Sequence, residues 1–133
     1  MAPLMPALAA VPPLVLVAVG GAFGACLRYL VGVWTMANLG AGLPFATWSV
    51  NILGSFAMGV LIAWLMRLES GGAELRLLLG VGVLGGFTTF SAFSLEVFTM
   101  INRNEIGLAA AYAVSSVAGS VLALMAGVWL VRA

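Results

Sequence analysis

The chain has 133 residues, 64% of them hydrophobic and only 7% charged, with a formal net charge of +1 and a mean hydropathy of +1.22. A soluble domain carries about 25% charged residues, so this chain cannot cover a water-facing surface and reads as an integral membrane protein. The charge balance excludes the basic footprint of a nucleic-acid binder. The lack of histidine and the single cysteine exclude most zinc and transition-metal chemistry.

The length suits one domain over residues 1–133. Residues 1–10 contain no Lys or Arg and so lack the basic region of a signal peptide. Pro3, Pro6, Pro12 and Pro13 predict an irregular lead-in over residues 1–13, at the membrane surface. A spanning helix needs about 20 mostly apolar residues, and four segments qualify. The first runs from about Leu14 to Met36 and contains Arg28 and the lone Cys26. Asn38, Gly40, Gly42 and Pro44 then mark a loop. The second span covers about Thr47 to Met66, and a hydrophilic loop from Arg67 to Arg76 follows. The third runs from about Leu77 to Ile101, and Asn102-Arg103-Asn104-Glu105 is a tight polar turn. The fourth runs from about Ile106 to Val131. The expected fold is therefore an all-α membrane bundle of four helices.

Four spans put both termini on one side of the bilayer. Arg67, Arg76 and Arg132 fall on that side, and Arg103 with Arg28 on the other. The basic bias that orients membrane proteins is thus weak. Two outcomes fit it: one orientation wins narrowly, or the chain inserts both ways and oppositely oriented copies pair as an antiparallel dimer. Gly20 and Gly24, Gly21 and Ala25, and Gly82 and Gly86 are four apart. That spacing allows close helix approach, although glycine pairs also arise by chance in membrane helices.

The third span carries the most unusual stretch, Gly85-Gly86-Phe87-Thr88-Thr89-Phe90-Ser91-Ala92-Phe93-Ser94. Glycines ease departure from helical geometry, and irregular backbone at membrane depth is tolerated only inside protein or beside a polar cavity. A break here frees carbonyls that, with the hydroxyls, suit a hard cation. The simpler alternative is a glycine kink with back-bonded threonines. Phe90 and Phe93 share a helix face. They are either apolar filler or electropositive ring edges lining an anion path. Asn51, in the second span, is either an anion donor or an interhelical hydrogen bond. Tyr112, Ser116 and Ser120 form one stripe on the fourth span, serving as a hydroxyl track or as packing. Arg28 either snorkels to the interface or forms a positive vestibule wall. Glu96 lies too deep for easy snorkelling and needs a polar neighbour or a proton.

Taken together, Gly21-Ala22-Phe23-Gly24-Ala25 with Leu27-Arg28-Tyr29, Asn51-Ile52-Leu53-Gly54, the Gly85–Ser94 stretch with Glu96, and Gly119-Ser120 resemble the Fluc, or CrcB, fluoride channels. The resemblance covers nearly the whole chain beyond about Val15. It implies a dual-topology antiparallel homodimer with a broken third helix and two fluoride pores, in a bacterial-type cytoplasmic (inner) membrane. It also implies a structural Na+ at the dimer centre, held by the carbonyls of Gly85 and Thr88. Asn51, Phe90, Phe93, Tyr112, Ser116 and Ser120 match the family's fluoride pathway, and Arg28 matches its first-span arginine. No enzymatic step is implied: such a channel lets trapped cytoplasmic fluoride leave passively. The rival by size is a four-span multidrug exporter, but that class uses a first-span glutamate, where this chain has Arg28 and no acid.

Overall fold

The computed structural model describes residues 4–133, which form helices and no strands. In chain order the elements are α1 (Leu4–Ala9), α2 (Pro13–Leu39), α3 (Phe45–Leu65), α4 (Gly72–Leu75), a π-helical segment (Arg76–Leu84), α5 (Gly85–Phe87), α6 (Phe90–Asn102) and α7 (Ile106–Arg132). Four stretches are long and apolar enough to cross a membrane: Pro13–Leu39, Phe45–Leu65, Gly72–Asn102 and Ile106–Arg132. The protein is a multi-pass, all-helical membrane protein.

The lead-in differs from the irregular segment expected over residues 1–13. Of that stretch, residues 1–3 lie outside the described residues, but Leu4–Ala9 are helical. Pro6 sits in the first turn, where its missing N–H would have no intrahelical partner in any case. Pro13 likewise opens α2 at its first position. α2 runs three residues past the expected end and stops at Gly40, whose φ of 75° only glycine adopts cheaply. Its N–H closes the helix on Met36 O at 3.2 Å.

The third stretch starts earlier than expected. Gly71, at φ 74°, ends the loop, and Glu74 sits in the first turn of α4, where a carboxylate suits the positive helix end. The turn between α6 and α7 is tight, as its sequence indicates. Asn104 takes a left-handed φ of 60°. Asn104 N–H donates to Ile101 O at 3.0 Å and Glu105 N–H to Met100 O at 2.9 Å. These are the paired bonds that finish a helix at such a residue.

Packing follows the small residues. A side chain at Gly20 would meet the Gly82 Cα at 3.0 Å, and one at Gly24 would meet the Phe87 nitrogen at 2.9 Å. Gly20, Gly24, Gly82 and Gly86 therefore bring α2 backbone to backbone against the third stretch. Gly59 and Gly127 do the same where α3 crosses α7. The far ends of α3 and α7 are tied by arginines: Arg67 donates to the Val131 carbonyl, and Arg132 reaches the Met66 sulfur at 3.8 Å. Much of the outer surface is apolar and exposed, including Leu14, Leu30, Val114 and Leu122. That surface suits lipid rather than water.

Gly24→Ala should destabilise the fold by about 1–3 kcal/mol, because the added methyl meets rigid backbone. Gly32→Ala, with nothing within 4 Å, should be neutral or slightly stabilising. Thermal unfolding in detergent would show this contrast, and equal melting temperatures would contradict the packing account.

Candidate functional site

Thr88 and Thr89 lie between α5 and α6 with extended backbone, at φ −86°, ψ 159° and φ −154°, ψ 125°. Their local bonds are specific. Thr88 N–H and the Thr88 hydroxyl both donate to Leu84 O, at 3.0 and 2.9 Å. The Thr89 hydroxyl accepts from Ala92 N–H at 3.2 Å and so caps α6. The Thr89 peptide groups are met from α3: Asn51 Nδ2 donates to Thr89 O at 2.9 Å, and Thr89 N–H donates to Asn51 Oδ1 at 2.8 Å. This two-way pairing admits only one orientation of the amide. It leaves the second Nδ2 hydrogen for another acceptor. From α2, Arg28 Nε donates to Gly86 O at 3.2 Å. Gly54 makes room for the step, since a side chain there would strike the Thr88 methyl. Among the described residues, no hydrogen bond reaches the carbonyl oxygens of Gly85, Phe87 or Thr88.

A cleft of about 290 Å³ lies beside this step, bounded by α3, α6 and α7. Asn51, Phe90, Phe93, Ser116 and Ser120 line it, together with Ser55, Thr88 and Thr89. The Phe90 and Phe93 ring centroids are 5.3 Å apart at 43°, and Phe93 stands 5.3 Å from Tyr112. Phe93 and Tyr112 adjoin a small buried cluster with Met100 and Ala109. Phe90 is 75% exposed. Ser116 is buried, and its hydroxyl has no hydrogen-bond partner among the described residues. Its neighbour Ser115 instead bonds back to Tyr112 O at 3.2 Å and accepts from the Trp48 indole at 3.1 Å.

Five of the six residues of the expected pathway therefore meet in one cleft. Tyr112 does not line that cleft but stands behind Phe93: its hydroxyl donates to Glu96 Oε2 at 2.6 Å, and Thr47 donates to Glu96 Oε1 at 2.6 Å. Glu96 thus finds its polar neighbours in two hydroxyls, one from α3 and one from α7. Arg28 lines a different cavity, of about 800 Å³, which also reaches Thr47 and Thr89. Two residues of the site escaped the sequence reading. Thr47 and Ser55 flank Asn51 at i−4 and i+4 and share its helix face. This is the same spacing that picked out Tyr112, Ser116 and Ser120 on α7.

Apolar spans surrounding a cleft lined by hydroxyls, an amide and aromatic edges define a membrane protein of the ion-channel class. The chain belongs to the CrcB family: the sequence profile described as CrcB-like protein, Camphor Resistance (CrcB), matches residues 15–128. The fluoride-specific ion channel FluC of Phenylobacterium zucineum (strain HLK1) is 55% identical over 120 residues, spanning 90% of this chain and 94% of that protein. The fluoride-specific ion channel FluC of Chelativorans sp. (strain BNC1) is 51% identical over 119 residues, 90% of this chain and 95% of that one. That of Novosphingobium aromaticivorans is 52% identical over 118 residues, 87% and 93% of the two chains. The family is one of channels, and the protein is not an enzyme.

Thr47→Val should cost about 1–2 kcal/mol, since it strips one donor from the Glu96 carboxyl group. Thr35→Val, which removes only a bond to Gly32 O within its own helix, should cost much less. Equal losses in detergent unfolding would mean that the Thr47–Glu96 bond does not hold α3 to α6.

Proposed function

We propose that the protein is a fluoride-selective passive channel that lets cytoplasmic fluoride leave the cell and so lowers its toxicity. Membership of the family, whose relatives carry that name, supports the substrate. The observation that carries the mechanism is the buried Ser116 hydroxyl, on a residue lining the cleft, with no hydrogen-bond partner among the described residues. A buried hydroxyl left unpaired costs about 1–3 kcal/mol. Such a cost is recovered when an anion takes up the donor.

Fluoride enters acidified cells as neutral HF and ionises inside, where the charged form is trapped. A passive path returns it down its electrochemical gradient. Fluoride is small and holds its water tightly, so a selective path must replace that water with strong, closely spaced donors. The free Nδ2 hydrogen of Asn51, the Ser116 and Ser120 hydroxyls and the ring edges of Phe90 and Phe93 supply such a series. Tyr112 contributes by holding Glu96 and flanking Phe93 rather than by facing the cleft.

The functional unit is an antiparallel, dual-topology homodimer in the cytoplasmic membrane. The near balance of arginines on the two sides supports two-way insertion. The cleft is open, and Phe90 on its rim is largely exposed, so a second copy would complete its wall. The extended Thr88–Thr89 step is the break of the third helix, and a structural Na+ belongs there. The donor set fits such an ion: Gly85 and Thr88 offer unpaired carbonyl oxygens, which are hard ligands. When bound, Na+ would add positive potential at a low-dielectric centre.

Protein reconstituted in liposomes should release fluoride without a proton requirement and exclude chloride; comparable chloride flux would contradict the channel's selectivity. Ser116→Ala should lower fluoride flux about tenfold or more while keeping or raising thermal stability, since the unpaired hydroxyl is removed. Wild-type flux in that variant would remove Ser116 from the path.

A further inference from the structure

A vestibule charge and a backbone clamp make different demands on an arginine, and Arg28 satisfies the second. α5 ends at Phe87, so the carbonyls of its last turn lose their helical partners and carry the negative end of the helix. Each of these groups needs a donor at membrane depth, where no water replaces it. Gly86 O receives one from Arg28 Nε, 58 residues away in sequence. Three residues on, Asn51 holds both the N–H and the C=O of Thr89. The terminal guanidinium nitrogens of Arg28 form no hydrogen bond among the described residues. The polar work that Arg28 performs on its own protein is therefore done by Nε alone.

We propose that Arg28 is a positioning residue for the backbone step. It pins the end of α5 at Gly86 while Asn51 pins the start of α6 at Thr89, and each anchor restrains the unpaired carbonyl next to it, Gly85 O and Thr88 O respectively. Gly85 precedes the first anchor by one residue and Thr88 precedes the second by one. A carbonyl adjacent to a fixed peptide has little freedom to turn. The inference rests on the cation reading above for its consequence, but the clamp itself is a matter of hydrogen-bond geometry.

The chemistry of two substitutions separates the clamp from a charge effect. In Arg28→Gln the side-chain Nε2 lies the same number of bonds from the backbone as the arginine Nε, so the donor stays and the charge goes. In Arg28→Lys the charge stays, but a methylene occupies that position and the donor is lost. The readouts are fluoride flux from proteoliposomes and the Na+ concentration that half-saturates thermal stabilisation in detergent, with N-methylglucamine holding ionic strength constant.

The clamp requires Arg28→Gln to track the wild type and Arg28→Lys to need about tenfold more Na+, with reduced flux. The reverse order, Lys like wild type and Gln impaired, would assign Arg28 to vestibule charge and overturn the proposal. Equal behaviour of the two variants, whether both intact or both impaired, would overturn it as well. If Na+ fails to stabilise even the wild type, the cation reading falls. The contrast between Gln and Lys in fluoride flux then still decides the clamp.

Discussion

Backbone polar groups at membrane depth must be paired within the protein, at a cost of several kcal/mol for each that is not. Thr88 and Thr89 leave the helix in the middle of the third apolar stretch, and the surrounding residues answer to that constraint. Leu84 O is shared by two donors from Thr88, Asn51 meets both groups of the Thr89 peptide, Thr89 itself caps α6, and Arg28 meets Gly86 O. The carbonyls that remain without a hydrogen bond among the described residues, at Gly85, Phe87 and Thr88, fall within four consecutive residues. A fold that pairs the groups around them and leaves these three has concentrated its unmet demand in one place. That concentration of hard oxygen ligands is what supports the proposed cation site.

The same step shapes the cleft. By ending α5 and restarting the chain as α6, it sets Phe90 and Phe93 at the start of a new helix, facing α3 and α7. α7 contributes hydroxyls on one side and α3 contributes Asn51 and Ser55 on the other. Behind this wall, Thr47, Glu96 and Tyr112 are joined by two short hydrogen bonds. They tie α3, α6 and α7 together at the end of the cleft next to Phe93. Selectivity for a strongly hydrated anion needs donors held at fixed spacing. The lattice of glycine contacts and interhelical bonds supplies that fixity without requiring a large buried core.

The four spans were legible because apolar length is a direct demand of the bilayer. The glycine pairs on the first and third spans were legible too, and they pack against each other. Gly59 and Gly127 carry the same signal, since Ser55 and Ala63 flank the first and Ala123 precedes the second at a spacing of four, but the sequence does not say which helix each would meet. The early start of the third stretch was hidden by Glu74 and Arg76, whose charges resemble a loop until Gly71 is seen to turn the chain. At the site, the i, i+4, i+8 stripe brought Ser116 and Ser120 into the cleft. Tyr112, the first member of that stripe, turns its hydroxyl to Glu96 and its ring to Phe93. The matching stripe of Thr47, Asn51 and Ser55 on α3 carries the same i, i+4, i+8 signal. The partners of Arg28 and Asn51 were beyond reach of the sequence. They are backbone groups 58 and 38 residues away, and no side-chain pattern marks a carbonyl.

The pairing of Asn51 with the Thr89 peptide is the most direct point of test. Solid-state NMR on protein in lipid bilayers, with the Asn51 side-chain nitrogen and the Thr89 carbonyl carbon labelled, reads both the contact and the local backbone. Extended-backbone shifts for Thr88 and Thr89, together with magnetisation transfer between the two labels, are the predicted result. Helical shifts through both residues with no transfer would contradict the account.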